Sequence, residues 1–215
     1  MKVWVRRVME VLWPPIPLWR TNANLKKQIE DRLASDDEYR CAFDDLLAEL
    51  KKATDHSAVL SEALRIEEAE IDRKEVVESK ASSLANATGL ALTVVALVPT
   101  LLGTDWGLAN PVARISALAF VLAIVHLLVA VEYAVNVSMV APFYVSSTST
   151  VKRSLEKGSL DEASLAAEKL VNAEMNVPAL IVKTNCLSVA QDLFVHGIAL
   201  LAIGAFPALL SLIIR

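Results

Sequence analysis

The chain has 215 residues, 54% of them hydrophobic and 21% charged, with a formal net charge of −4. That balance leaves no basic excess to neutralise phosphates, so direct nucleic-acid binding is not expected. The apolar residues are pooled in three long runs, while most of the charge lies ahead of residue 84. This segregation, more than the mean hydropathy of +0.45, indicates a bilayer.

The first 20 residues hold a positive start but no uninterrupted apolar core, because Arg6, Arg7 and Glu10 break it. A cleavable signal peptide is therefore not expected. Trp4, Val8, Val11 and Leu12 instead form one stripe of an amphipathic helix over residues 3–13, ended by Pro14, Pro15 and Pro17. Trp4, Trp13 and Trp19 suit the headgroup region and Arg6 and Arg7 suit anionic lipid, so residues 1–20 are expected to form an interfacial anchor. Packing on the rest of the protein is the other reading of that stripe.

Residues 22–83 contain no Gly or Pro. Leu25, Ile29 and Leu33, then Phe43, Leu46, Leu47 and Leu50, then Leu60 and Leu64 recur every three or four positions, which predicts helices with one apolar seam. Ser35, Asp36, Asp37 and Glu38 read as a break and a fresh N-cap. The expectation for residues 21–83 is a cytoplasmic helical hairpin or coiled coil, its second helix running on into the membrane. The charged residues there read as solvated faces.

Residues 84–103 carry no charge and are long enough to span, with Pro99 near the far end. Asn110 caps a second span of about 112–137, with Pro111 at its first helical position. Ser159, Leu160, Asp161 and Glu162 form a capping box that opens a helix within a cytoplasmic segment, 151–187. Pro178 is read as restarting a helix that passes Lys183 and enters a third span, about 193–214. Arg65, Arg73, Lys74 and Lys80 precede span one; Lys152, Arg153 and Lys157 follow span two; Lys169 and Lys183 precede span three. The predicted fold is thus an all-α integral membrane protein with three transmembrane helices, N-terminus inside and C-terminus outside. Residues 84–215 form its transmembrane domain. Cys41 and Cys186 are read as reduced, cytoplasmic thiols.

Polar side chains in a bilayer are costly, so those near the spans are informative. Glu132 and Asn136 share one face of span two, and Asp192 and His196 share one face at the start of span three. Because span two descends toward the cytoplasm and span three rises from it, these four are expected to form one polar layer. That layer is either an ion- or proton-sensitive constriction or a set of interhelical contacts and snorkelling side chains. A zinc site from His126, Glu132 and His196 is disfavoured, since His126 lies about two turns deeper than Asn136. Ala85, Gly89 and Thr93, and Gly204 with Ala208, repeat every four residues and suit close helix approach. No P-loop, dinucleotide fingerprint, nucleophile elbow or H-E-x-x-H occurs, so no catalytic residue, cofactor or metal is expected.

Two stretches carry a family resemblance. One is Val77 to Leu92, V-E-S-K-A-S-S-L-A-N-A-T-G-L-A-L, and the other Lys183 to Leu201, K-T-N-C-L-S-V-A-Q-D-L-F-V-H-G-I-A-L-L. They resemble the helix leading into the first span and the last helix of small bacterial anti-phage membrane effectors, the Pycsar transmembrane effector family. Lys80 and Ala81, then Lys183, Leu187, Ala190, Phe194 and Gly197, stand at the matching positions. The resemblance covers residues 70–215 in layout and only these positions in detail. It implies a non-enzymatic effector or sensor of the bacterial inner membrane, which oligomerises and impairs the membrane when infection is sensed. Some relatives carry a β-rich cyclic-nucleotide domain. The helical N-terminal region departs from that pattern, which makes a cytoplasmic protein partner the expected trigger. The alternative is a membrane anchor or scaffold that recruits a soluble partner and forms no pore. A transporter is disfavoured by three spans without a repeat.

Overall fold

The computed structural model describes residues 36–102, 111–139 and 161–214, with isolated helical positions between 23 and 29. The described residues are helical almost throughout and include no strand. Four helices follow in order: α1 (Asp36–Leu50), α2 (His56–Leu102), α3 (Pro111–Met139) and α4 (Glu162–Ile214). The anchor residues Trp4, Arg6, Arg7, Trp13 and Trp19 lie outside the described residues.

α1 starts where the Asp36-Asp37-Glu38 run places fresh acidic residues at a helix N-terminus. Tyr39, Phe43, Leu46, Leu47 and Leu50 turn inward, while Asp37, Arg40, Cys41, Asp44, Asp45 and Glu49 are exposed. The helix then stops at a turn that the apolar spacing alone does not announce. The amides of Lys51, Lys52 and Ala53 close back on the carbonyls of Leu47, Glu49 and Leu50 at 3.0, 3.0 and 2.9 Å. Asp55 opens α2 by accepting the Ala58 amide at 2.9 Å, the geometry of an N-cap.

α2 is continuous for 47 residues, roughly 70 Å at 1.5 Å per residue, more than twice the thickness of a bilayer core. Its first half is charged and its second half apolar, so one helix joins two chemical environments, as the uninterrupted sequence predicts. The seam differs from the expected one. Ala63 is buried, whereas Leu64 is 46% exposed, so a small residue holds the inner position. Further along, Ala81, Thr88 and Val95, seven apart, are buried. The Thr88 hydroxyl donates to the Leu84 carbonyl at 2.7 Å, which satisfies it locally.

α3 begins at Pro111, where a missing N–H costs nothing. α4 spans 53 residues and runs through Pro178 without interruption, so the expected restart there does not occur. Ala173, Met175, Asn176, Ala179 and Leu180 are all buried around the proline, and that packing holds the helix across one lost backbone bond. Ser159 and Leu160 of the expected capping box lie outside the described residues; Asp161 accepts the Ser164 amide, at 2.6 Å. Hydrogen bonds from the Ser164 hydroxyl and then its amide, with Lys51 and His56 nearby, hold the Asp161 carboxyl below the usual range.

The helices divide into two compact units. One gathers α1, α2 up to Val77 and α4 up to Lys183; the other gathers α2 from Glu78, α3, and α4 from Thr184. In the first, Glu67 of α2 meets Lys169 of α4 at 2.7 Å, and the start of α2 lies near Asp161 at the start of α4, so these two helices run parallel. Tyr39 of α1 donates to Asn172 of α4 at 3.1 Å, which sets α1 antiparallel to them. In the second unit, Gly197 of α4 lies against Leu127 of α3, and Gly204 against Ser116 and Phe120. α3 and α4 are therefore antiparallel there.

Candidate functional site

In the second unit the α3–α4 contact is very close. A Cβ on Gly197 would sit 2.8 Å from the Leu127 side chain, and one on Gly204 would sit 3.2 Å from the Ser116 carbonyl oxygen. Only glycine permits this approach. Ala123, Leu127, Ala130, Val189 and Leu193 are fully buried alongside it. Gly204 is thus consumed in packing within the chain, whereas nothing lies within 4 Å of the Cβ position of Gly89.

This register decides which polar groups meet. His196 meets His126: the ring centroids are 6.3 Å apart, in an edge-to-face arrangement. His126 Nδ1 lies 2.8 Å from the Leu122 carbonyl. A carbonyl only accepts, so Nδ1 carries the proton in that bond. His196 Nδ1 is buried without a hydrogen-bond partner among the described residues. The expected single layer of Glu132, Asn136, Asp192 and His196 is staggered instead. Glu132 and Asp192 fall at one level, His196 lies about one turn deeper beside His126, and Asn136 lies about one turn the other way. Glu132 and Asp192 are exposed, and Asn136 and His196 half-buried. The sequence placed His126 too deep to join His196, because a one-turn offset between antiparallel helices is invisible without their contacts.

Glu132 occupies an unusual position. Leu128, Val135 and Met139, on the same face of α3, are 54, 42 and 76% exposed. A single carboxyl group thus interrupts an outward apolar stripe, bracketed by hydrophobic side chains on both sides.

The first unit holds a second polar arrangement. Glu168, Asn172, Asn176 and Lys183 are buried along α4, the last at 1% exposure. Their spacing of four, four and seven puts them on one helical face. The Glu67–Lys169 pair is also largely sheltered, with the side chains 14% and 17% exposed, and Glu67 Oε1 is buried without a hydrogen-bond partner among the described residues. Charge counting used Lys169 and Lys183 only as topology markers. Polar residues four apart in an alanine-rich helix were the signal of an internal role.

Among the described residues no group of three or more His, Cys, Asp or Glu could hold a metal ion. Chemically, the second unit offers an imidazole pair inside and carboxyl groups outside, and the first a polar interior.

No family model matches the chain, and no curated protein or solved structure matches it. Ala81, Lys183, Leu187, Ala190 and Gly197 are buried, and Gly197 is a helix-contact position.

Proposed function

We propose that this protein is a non-enzymatic effector or sensor of the bacterial inner membrane in anti-phage defence, oligomerising and perturbing the bilayer on a cytoplasmic trigger. The observation that carries the membrane part is the exposed apolar surface of the second unit. Among the described residues two helices are long and apolar enough to cross a membrane, and only 33% of the apolar window of each is buried. Leu90, Ile115, Val195 and Phe206 are 69, 63, 63 and 66% exposed. Each such side chain left in water forgoes about 1.5–3 kcal/mol of burial, and soluble monomers do not gather so many on one surface. A bilayer accounts for this outer surface.

On this reading α2, α3 and α4 supply three spans, N-terminus inside and C-terminus outside. The parallel course of α2 and α4 in the first unit and the antiparallel α3–α4 pair in the second support that order. The charged first unit then lies in the cytoplasm, where its exposed α1 face is available to a protein partner. The defence role draws on the resemblance at Lys80, Ala81 and the Lys183–Gly197 stretch.

The exposed acidic residues Asp37, Asp44, Asp45 and Glu49 of α1 also favour a second reading, a membrane anchor that recruits a soluble partner without opening a pore. One experiment separates the two. Cells expressing the full chain are infected with phage, and membrane potential is followed with a voltage-sensitive dye. The effector reading expects depolarisation that cells lacking the protein do not show. Wild-type cells that never depolarise would leave the anchor.

A further inference from the structure

We infer that the outward stripe of α3 is a seam between copies of this chain, and that Glu132 on it lines a cation-conducting path. The inference rests on the effector reading above and locates its pore.

A path between α3 and α4 of one copy has no room. Gly197 touches Leu127 at a distance that excludes even a methyl group, Gly204 lies against Ser116, and Ala123 and Ala130 are completely buried. Water cannot file through a contact that a Cβ cannot enter. The outer surface of α3 is different. Leu122, Val125, Leu128, Glu132, Val135 and Met139 are all exposed and follow one another at intervals of three or four residues. Five are apolar and one is acidic. That spacing describes a packing stripe of the kind two helices share.

Lipid is an adequate cover for the five apolar residues and a poor one for the sixth. A carboxyl group in hydrocarbon lacks hydrogen-bond partners in either protonation state. Val135 and Met139 continue the exposed apolar stripe for two further turns, about 10 Å beyond Glu132. That is farther than a glutamate side chain can reach, so snorkelling past that end of the stripe does not relieve it. A second copy of the chain does. Identical subunits around an axis set apolar stripes side by side and gather their Glu132 carboxyl groups where water and a cation can solvate them. Asp192 lies exposed at the same level of α4 and adds a second acidic group per copy at that level. Acidic rings favour cations over anions, so the path selects for cations.

The test uses the full chain in vesicles of phosphatidylethanolamine and phosphatidylglycerol. With Cys41→Ser and Cys186→Ala as background, Leu128→Cys and Val135→Cys are expected to give disulfide-linked copies on mild oxidation. Leu64→Cys, exposed in the charged unit, is the collision control and should stay unlinked. In parallel, reversal potentials under a KCl gradient are expected to show K+ preferred over Cl− for the wild type. Glu132→Gln, at equal oligomer size, should lose that preference, and Val76→Ala, exposed in the charged unit away from the stripe, should keep it. Seam cysteines that never link copies, or that in cell membranes link to a different protein, would overturn the inference. So would vesicles that pass neither ion, or an unchanged ion preference in Glu132→Gln. The effector reading is decided separately, by the infected-cell assay. Wild-type cells that depolarise, with Glu132→Gln cells depolarising equally, keep the effector and remove this path. Wild-type cells that never depolarise remove the effector itself.

Discussion

Two glycines that look alike in the sequence have opposite surroundings. Gly89 and Gly197 both interrupt apolar helices, yet Gly89 faces open space and Gly197 faces the buried Leu127. Leu127 is fully buried and cannot swing aside cheaply. Gly197→Ala should therefore destabilise the chain by about 1–3 kcal/mol through overpacking. Gly89→Ala should be neutral or stabilising, by up to about 1 kcal/mol, because alanine loses less backbone entropy in a helix. Thermal unfolding in detergent, followed by circular dichroism, checks both; equal stability of Gly197→Ala and wild type would mean that α3 and α4 do not meet there. The histidines carry a similar lesson. Their ring contact depends on the register of two helices some seventy residues apart in the chain, which no local spacing encodes.

At the level of elements, the uninterrupted α2 was legible, because residues 56–102 hold no proline but Pro99, near the far end, and show a clean change from charged to apolar. The continuity of α4 was not, since Pro178 has the same local signature whether neighbours hold the helix together or not. The pairing of α2 with α4 was also beyond the sequence, which shows Glu67 and Lys169 only as two charges among many. Their largely sheltered ion pair makes a testable claim. Lys169→Met should cost about 1–3 kcal/mol, because it leaves a sheltered carboxylate without its cation. Adding Glu67→Leu should recover most of that loss, since two apolar groups of similar size replace the pair. A double mutant no more stable than Lys169→Met would show that the pair is not what joins these helices. The outward pair Glu62–Arg65, three residues apart on α2, stabilises it only slightly.

For the whole molecule, the two units have opposite surfaces, and this bears on topology. The three-span order puts Cys41 in the cytoplasm on an exposed face and Cys186 in a buried position. A membrane-impermeant maleimide applied to intact spheroplasts should therefore label neither. After permeabilisation it should label Cys41 quickly, while Cys186 should react only once the protein is denatured. A C-terminal tag should be open to protease from outside before permeabilisation. Labelling of Cys41 in intact spheroplasts, or a protected C-terminal tag, would overturn the N-in, C-out order.

Helical class, the apolar reach of the later helices and their separation from the charged region all followed from composition and periodicity. These properties depend on residues within a few turns of one another, and the sequence displays such neighbours directly. The start of α3 at Pro111 belongs to the same class. Partners across helices belonged to the tertiary structure alone. It matched His126 with His196, buried Ala63 in place of Leu64 and turned Glu132 outward. A side chain's neighbour on another helix depends on rotation and register, and a shift of one residue turns a helix face by about 100° while leaving every local preference satisfied.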